Sequence, residues 1–392
     1  MTSFQIPPPA FLDDPALRAV LAALPEARLV GGAVRDAVAG RPVADIDLAT
    51  PLPPLDVVAA LRRAGLKHAP TGLRHGTVTA ISGGHGFEVT TLRRDEATDG
   101  RHATVAWTTD WEQDAARRDF TFNAMSMLPD GTVFDYFGGA EDLANGRTRF
   151  VGDPAQRIAE DYLRVLRYFR FHGRYGAATP YAATAGALRE GARHLWHLSA
   201  ERIWRELKRI LAIPAPMPTL RLMEALEVLD AALPGGADVD ALARLVEAGA
   251  PPDPLLRLAA LQPGTPVAAK LKLSRAEAAT LEGLDGPPPD PAWDDDSLRR
   301  ALAETPSEAL IGRAWLAGTD GALRARLAAE KRPVFPLAGR DVVALDIVAG
   351  PRVGALLAAV RAWWLAGGCR AGRPACLAEL ARLAELARLP GG

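Results

Sequence analysis

The sequence has little that would suit a membrane, secreted or disulfide-stabilised protein. Its 392 residues include only two cysteines, Cys369 and Cys376, whose spacing matches neither a CxxC pair nor a Cys/His zinc motif. Apolar runs such as LDVVAALRRAGL are interrupted by charge well before the roughly 18 residues that a membrane span needs. The first residues, MTSFQIPPPAFLDD, lack the basic and apolar regions of a signal peptide. We therefore predict a cytoplasmic protein without a membrane partner, and no feature indicates a protein partner.

The chain also lacks the overall basic excess that is common in nucleic-acid-binding proteins, since its net charge is −1. The charge is unevenly distributed, however. Residues 151–211 contain eleven Lys and Arg against six Asp and Glu, a local charge of +5 that leaves −6 for the remaining residues. Two interpretations stay open at this stage, a surface that contacts phosphates or the solvated face of an arginine-rich composition.

The pattern of apolar residues changes along the chain. Short apolar strands alternate with helices over residues 1–137, where GTVTAIS and GFEVTTLRR are typical of an antiparallel pair. From Asp153 onward, Ala, Leu, Arg and Glu recur at helical spacing. Because single domains rarely exceed about 250–300 residues, a chain of this length predicts at least two domains.

The stretch LVGGAVRDAVAGRPVADIDLAT, residues 29–50, combines several polar signals. Gly31 and Gly32 follow a strand and precede a helix, so the backbone can approach a ligand and the free N–H groups of the helix can bind a triphosphate. Arg35, one turn into that helix, can add a contact to the phosphates. The spacing excludes a Rossmann motif, because no GxGxxG follows the strand.

Asp45 and Asp47 lie one residue apart in the predicted strand DIDLAT, which places both carboxylates on one face and Ile46 toward the core. Two carboxylates so close repel each other unless a cation lies between them, and such oxygen ligands suit Mg²⁺ bound together with substrate phosphates. Glu88, on the alternating strand FEVTT, is our candidate for a third carboxylate. The expected result is a two-metal site for displacement at an α-phosphate. The alternative is a solvated strand end.

The segment DPAQRIAEDYLRVLRYFRFHG predicts a single helix, with Asp153 as N-cap, Pro154 at its first position and its end at Gly173. Helical spacing predicts a buried stripe and a polar face. The buried stripe contains Ile158, Tyr162, Val165 and Phe169, and the polar face contains Arg157, Asp161, Arg164 and Tyr168.

Asp161 and Arg164 have the chemistry to recognise a base. Cytosine and adenine both carry an amino donor beside a ring-nitrogen acceptor, which a carboxylate and a guanidinium match, whereas uracil and guanine carry a carbonyl beside an N–H. The alternative interpretation of Asp161 and Arg164 is an intrahelical ion pair that adds a few tenths of a kcal/mol, about 0.2–0.5, to helix stability.

Six segments resemble, in order and spacing, the class II tRNA nucleotidyltransferase and bacterial poly(A) polymerase family. They are LVGGAVRDAVAGRPVADIDLAT, PTGLRHGTVTAI, FEVTTLRRDEATDGRHATV, AARRDFTFNAM, DYFGGAEDL and EDYLRVLRYFRF. Near the C-terminus, AGRDVVALDIVAGPRVGALLAAVRAWWLAGG resembles the tail of the CCA-adding members, although Asp346 stands where that tail usually has glycine.

The resemblance implies an α+β fold, with a polymerase-β-like nucleotidyltransferase head of mixed sheet and helices followed by an all-helical neck, body and tail. The expected boundaries are residues 1–137 for the catalytic head, 138–215 for the neck that recognises the base, and 216–392 for the tRNA-binding body and tail.

The resemblance also implies roles for individual residues. Asp45 and Asp47 correspond to the metal ligands, and Glu88 transfers less directly. The nucleotide contacts that it implies are Gly32, Arg35, Arg118, Asp161, Arg164, Arg167 and Arg170, to which the spacing argument adds Gly31. For Asp119 and Asn123 a structural role and a ligand role both stay open.

The activity implied is a CCA-adding enzyme that transfers CMP, CMP and AMP from CTP and ATP to the 3′ end of tRNA with Mg²⁺. A polar loop over residues 93–113, in which Asp95, Asp99, Gly100 and Arg101 match the family, would adapt the pocket between C and A. The alternatives are a poly(A) polymerase, a partial enzyme that adds only CC or only A, and a non-catalytic RNA-binding homologue.

Overall fold

The structure, a computed structural model, describes residues 1–73, 76–98, 103–176, 178–233, 235–263 and 266–386. The chain forms two compact units, an N-terminal unit of Met1–Gly236 and a C-terminal unit of Ala237–Gly392. The finer division at residues 137 and 215 stays a prediction.

The N-terminal unit is built on a mixed sheet. Its strands, among the described residues, are β1 Thr2–Gln5, β2 Arg28–Val30, β3 Asp47–Thr50, β4 Lys67–Gly72, β5 Thr77–Ser82, β6 His85–Thr91, β7 Arg93–Thr98, β8 Ala103–Trp107, β9 Ser126–Met127 and β10 Thr132–Asp135. Eight of them pair in the order β1-β10-β9-β2-β3-β6-β5-β4, with β3 and β6 parallel and the other neighbours antiparallel. The predicted antiparallel pairing of GTVTAIS with GFEVTTLRR is confirmed as β5 with β6.

The predicted polar loop after β6 is largely regular strand. β7 and β8 pair antiparallel in a separate two-stranded sheet, with a register irregularity between residues 95 and 97. The expectation that residues 93–113 form a polar loop throughout was therefore wrong, since two strands lie within them. Asp99, Gly100 and Arg101 lie outside the described residues.

Helices cover the sheet and continue beyond it in the N-terminal unit. Among the described residues they are α1 Pro15–Ala23, α2 Gly32–Val38, α3 Pro54–Arg63, α4 Trp111–Ala116, α5 Gly139–Ala144, α6 Pro154–Glu160, α7 Leu163–Tyr175, α8 Ala182–Ala192, α9 Ala200–Leu211, α10 Met217–Ala225 and α11 Val228–Ala232, with 3-10 helices at Ala10–Asp13, Thr121–Asn123 and Leu195–His197. α1 and α3 pack on β5 through fully buried residues such as Val20 and Leu61, which recur at helical spacing.

The segment predicted as one helix is two helices with a bend at Asp161. Asp153 caps α6 and Pro154 opens it as predicted, but Asp161 is extended, with φ −156° and ψ 106°, and α7 runs on to Tyr175. A continuous helix would need the carbonyl of Arg157 to accept from the Asp161 N–H. Instead the Arg164 guanidinium donates to that carbonyl, and the Asp161 carboxylate accepts from the Leu163 N–H at 3.1 Å. The Asp161 carboxylate therefore satisfies a backbone N–H at the start of the second helix, one residue before its N-cap, Tyr162.

Two residues of the predicted polar face are buried. Arg157 donates through Nη2 to the backbone carbonyls of Arg117 and Arg118. Tyr168 is fully buried, while Tyr162, predicted to be buried, is only half-buried. The spacing of apolar residues along a helix cannot show that the Arg157 guanidinium binds backbone carbonyls of a distant segment.

Within the N-terminal unit, an aromatic cluster joins the segment before β9 to α7. It contains Phe120, Phe122, Phe150, Tyr168 and Phe171, with ring centroids of neighbouring pairs 4.8–6.3 Å apart. Such aromatic pairs stabilise by about 0.5–1.5 kcal/mol each beyond the area they bury. The cluster therefore fixes the segment before β9 against α7, which places the site described below.

The C-terminal unit is helical in its described residues. The helices are α12 Val239–Glu247, α13 Pro254–Leu261, α14 Val267–Lys270, α15 Arg275–Leu284, α16 Asp295–Glu304, α17 Ser307–Leu316, α18 Gly321–Ala329, α19 Gly339–Val343, α20 Pro351–Ala366 and α21 Arg373–Leu386. With the mixed sheet of the first unit, they confirm the predicted α+β class. No helix within the described ranges is long and apolar enough to cross a membrane.

Asp346, between α19 and α20, adopts φ 60°. This left-handed conformation favours glycine, and Asp and Asn are the side chains that tolerate it best. The conformation gives a physical reason for the glycine that the resembling tail segments usually have there.

Candidate active site

The turn between β2 and α2 depends on glycine. Gly31 has φ 66° and ψ −126°, which residues with a Cβ rarely adopt. A Cβ at Gly31 would also lie 3.4 Å from Nη1 of Arg118. The turn therefore brings backbone close to a guanidinium, at the wall of a cleft.

Most of the predicted nucleotide contacts line one cleft of about 470 Å³ in the N-terminal unit. Its lining consists of Gly31, Gly32, Arg35, Arg118, Asp119, Asn123, Asp161, Leu163, Arg164, Arg167, Phe171 and Arg202. Arg170 and Asp45 line a neighbouring cleft of about 910 Å³, which shares Gly32, Arg35 and Phe171 with the first. The structure thus brings together residues that are up to 171 positions apart in the sequence.

Three acidic side chains lie near the start of β3. Glu88 of β6 is paired in register with Asp47 of the parallel strand β3, as expected for a neighbouring carboxylate. The prediction for Asp45 was wrong in one respect, because β3 starts at Asp47 and Asp45 lies just before it. Ile46, expected in the core, is only half-buried.

Partial removal from water and nearby negative charges raise the pKa of Asp47. Partial removal from water by the surrounding chain contributes most, the negative charges of Glu88 and Asp45 add to it, and Arg118 opposes it. Folding has therefore brought Asp47 close to like charges, as is common at functional sites.

The carboxylates of Asp45, Asp47 and Glu88 fit a hard divalent cation whose remaining ligands come from the substrate. Among the described residues, no group of three or more His, Cys, Asp or Glu side chains could hold a metal ion by itself. Mg²⁺, however, is usually bound by one or two carboxylates together with waters and substrate phosphates. The repulsion felt by Asp47 is the kind that a cation between carboxylates would relieve.

A chain of hydrogen bonds fixes the cationic wall of the cleft. Arg35 donates from Nη1 to Oδ1 of Asn123 at 2.8 Å, and Asn123 donates from Nδ2 to Oδ1 of Asp119 at 3.0 Å. Asp119 accepts through Oδ2 from Nε of Arg167 at 2.8 Å. Arg118 is held by Asp114, with 3.1 Å between Nη2 and Oδ2. The contacts of Asp119 and Asn123 support the structural role that was left open for them.

The buried charges that line the two clefts are balanced. Burial alone would raise the pKa of Asp119, but Arg167 and the hydrogen bonds from Asn123 and the Phe120 N–H lower it below its usual range. Burial lowers the pKa of Arg170 to about 10, although Glu206 lies 3.0 Å from its Nε. Arg170 therefore still carries its charge at neutral pH.

Asp161 and Arg164 line the same cleft but do not pair with each other. Arg202 of α9 donates from Nη2 to both carboxylate oxygens of Asp161, at 3.1 and 2.8 Å. Arg164 binds Glu160. The sequence interpretation missed Arg202, because it lies 41 residues from Asp161 and no spacing rule connects them.

Comparisons with known proteins identify the family of the chain. Residues 27–149 match the family profile described as "Poly A polymerase head domain", and residues 181–239 match the one described as "Probable RNA and SrmB- binding site of polymerase A". CCA tRNA nucleotidyltransferase 1, mitochondrial, of Danio rerio is 37% identical over 360 residues, which cover 86% of this chain and 83% of the relative. The human protein of the same name is 37% identical over 370 residues, covering 88% and 83%.

A solved structure shows a similar fold. The crystal structure of the Bacillus stearothermophilus CCA-adding enzyme in complex with CTP matches with a TM-score of 0.71 and 29% identity, covering 95% of this chain and 100% of that one. The predicted resemblance and the predicted nucleotidyltransferase class are confirmed. The chain belongs to the family of CCA-adding tRNA nucleotidyltransferases and poly(A) polymerases.

Proposed function

We propose that the protein adds CMP, CMP and AMP to the 3′ end of tRNA, using CTP and ATP and releasing pyrophosphate. The observation that carries the proposal is one cleft in which Asp161 and Arg164 face the same space as Arg35 and Arg118. A base-recognition pair and a phosphate-binding wall are thus available to one nucleotide. The names of the Danio rerio and human relatives support tRNA as the acceptor.

In each step, the 3′ hydroxyl oxygen of the tRNA attacks the α-phosphorus of the nucleotide. A new O–P bond forms, the bond to the bridging oxygen of the β-phosphate breaks, and pyrophosphate leaves with that electron pair while the hydroxyl proton is lost. Arg118 and Arg35 would neutralise phosphate oxygens as charge develops on them. The glycine turn would let backbone N–H groups contact the same phosphates.

Nucleotidyltransferases generally use divalent metal ions. We propose Mg²⁺ here, held by Asp45 and Asp47 with Glu88 as the third carboxylate, because oxygen donors and phosphates are its preferred ligands. When bound, Mg²⁺ supplies charge neutralisation at the reacting phosphate and lowers the pKa of the attacking hydroxyl. The carboxylates themselves orient the site, since β3 and β6 fix Asp47 opposite Glu88.

Selection of the base would rest on Asp161 and Arg164. The carboxylate accepts from the amino group of cytosine or adenine, and the guanidinium donates to the adjacent ring nitrogen. A base with the opposite pattern leaves buried polar groups unpaired, a loss of about 1–3 kcal/mol. Arg202 would act as a positioning residue, because it holds both oxygens of Asp161.

The remaining assignments follow from the same proposal. Arg167 and Arg170 would contact the nucleotide and the RNA end, and the helical residues 216–392 would bind the tRNA body. A cytoplasmic location stays a prediction, because mitochondrial proteins are among the relatives.

A poly(A) polymerase is the main alternative, since the family profile of the head carries that description. CCA addition is favoured by relatives of that name at 37% identity over 83% of their length. A partial enzyme and a non-catalytic RNA-binding homologue predict different products and are separated by product analysis.

The carboxylate assignment is tested by Asp45→Asn and Asp47→Asn, with Asp56→Asn, an exposed residue of α3, as the control. Both site variants should fold normally and lose CMP and AMP incorporation alike, by a factor of at least about 100, because charge stabilisation at the phosphate serves every nucleotide. Incorporation by folded Asp47→Asn protein at the rate of the Asp56→Asn control would refute the assignment.

A further inference from the structure

Four aromatic rings form a cluster on the N-terminal unit. Tyr162 stacks on His194 with centroids 4.6 Å apart and an interplanar angle of 20°, and His194 stacks on His197 at 5.7 Å and 16°. Tyr162 also lies 6.3 Å from His197, so these three rings form a triangle, and Trp196 stacks on His197 at 3.5 Å and 28°. We call these four side chains the ring cluster. One of them, Tyr162, directly follows Asp161 of the candidate active site.

The ring cluster is anchored on one side and open on the other. Leu195, in the same 3-10 helix as Trp196 and His197, is fully buried and fixes that helix to the unit. Trp196 is 75% exposed, although it is the largest side-chain type and would normally be partly buried. Its stacking on His197 leaves most of the indole in water, so packing of the core does not explain it.

The surroundings favour an RNA base as the occupant. Residues 151–211, which include the whole ring cluster, carry a local charge of +5. The ring cluster also lies partly within residues 181–239, whose family profile is described as "Probable RNA and SrmB- binding site of polymerase A". An exposed aromatic ring on a segment with an excess of basic residues favours binding of unpaired bases, because every base has a π-face that stacks.

We propose that the ring cluster is a stacking platform for an unpaired nucleobase of the RNA substrate, outside the nucleotide cleft, with Trp196 as the contacting side chain. This inference rests on the proposed function, because it takes an RNA with an unpaired 3′ end as the ligand. It adds a binding site to that function. Tyr162 links the ring cluster to the bend at Asp161, which belongs to the base-recognition pair.

The test compares two RNAs by fluorescence anisotropy. One is a tRNA that keeps an unpaired 3′ nucleotide but lacks CCA, and the other is the same tRNA shortened to a fully paired end. Trp196→Ala should bind the first RNA about tenfold more weakly, within the range for loss of one base–aromatic stack, and the second as tightly as wild type. Trp196→Phe should restore most of the loss, because phenylalanine keeps a stacking face.

The control is Tyr181→Ala, which removes another exposed aromatic ring from the same matched segment. It should leave both affinities unchanged, and thermal unfolding should show that all variants fold. In turnover assays Trp196→Ala should raise KM for the unpaired RNA and leave kcat unchanged.

Two outcomes would overturn the proposal. Unchanged affinity of Trp196→Ala for the unpaired RNA would show that the ring binds no base, and equal weakening for both RNAs would show a contact unrelated to an unpaired base. Wild-type protein that binds neither RNA would refute the proposed function as well, so the two failures are distinguishable.

Discussion

Arg202 is expected to control nucleotide selection although it lies outside the proposed base-recognition pair, Asp161 and Arg164. Arg202→Met removes the guanidinium that holds both oxygens of Asp161 and keeps most of the aliphatic stem. The side chains of this pair are 37% and 29% exposed, so its contribution to stability is small, about 0–1 kcal/mol after solvent screening. The variant should therefore fold.

The effect on selection should be larger than the effect on stability. A correctly held carboxylate discriminates against a mismatched base by about 1–3 kcal/mol. Loss of the Arg202 contact should lower this free energy of discrimination by about 1 kcal/mol. The ratio of kcat/KM for CTP over UTP should therefore fall roughly five- to tenfold. Because Asp161 is the group through which Arg202 acts, Asp161→Ala should abolish the discrimination and adding Arg202→Met to it should change little.

The assay is incorporation of each nucleotide, supplied alone, into a tRNA that lacks CCA. Arg205→Met removes an exposed arginine from the same helix and serves as the matched control. Wild-type selectivity in folded Arg202→Met protein would refute the reasoning. So would additive losses in the double variant, because they would mean that Arg202 acts independently of Asp161.

Two further predictions concern stability. Asp119→Asn should lower the free energy of unfolding by about 2–3 kcal/mol near pH 7, as expected for lost hydrogen bonds to charged groups. Burial would raise the pKa of Asp119, but Arg167, Asn123 and the Phe120 N–H together outweigh it and lower that pKa. The contribution of Asp119 is therefore present above its unfolded pKa of about 4 and is lost as pH falls, so the variant should be less acid-sensitive. If the free energies of unfolding of wild type and Asp119→Asn, measured by urea titration, fell equally as the pH is lowered, this prediction would be contradicted. Asp346→Gly should stabilise the protein by about 0.5–1 kcal/mol by relieving a left-handed conformation, whereas Ala344→Gly, at a right-handed position, should destabilise it by a similar amount. Thermal shifts of the same sign for both variants would exclude that explanation.

The local features of the site could be predicted from the sequence because short-range patterns determine them. The alternating strand FEVTT placed Glu88 on a strand, and the sheet brings it opposite Asp47. The glycine pair predicted a turn between strand and helix, and Gly31 indeed adopts a conformation that only glycine adopts readily. Asp153 and Pro154 began α6 as the capping rules predict.

Long-range contacts explain what the sequence could not reveal. The bend at Asp161 depends on the Arg164 guanidinium taking the carbonyl of Arg157 and on Arg202 holding the carboxylate. Helical periodicity describes which face of a helix is apolar. It does not show that a guanidinium can replace a backbone N–H as the donor to a helix carbonyl. Arg157 was placed on a polar face for the same reason, because the carbonyls that it binds belong to a distant segment.

The central claim is that one protein cleft selects C, C and A and then stops. Purified protein should be incubated with Mg²⁺, CTP and ATP and a tRNA that lacks its last three nucleotides, and the products sequenced. The account predicts addition of C, C and A followed by arrest, because the lengthened end no longer fits between Asp45, Asp47 and the cleft lined by Asp161 and Arg164. Long A runs on generic RNA, addition of only CC or only A, or no incorporation by folded protein would each contradict it.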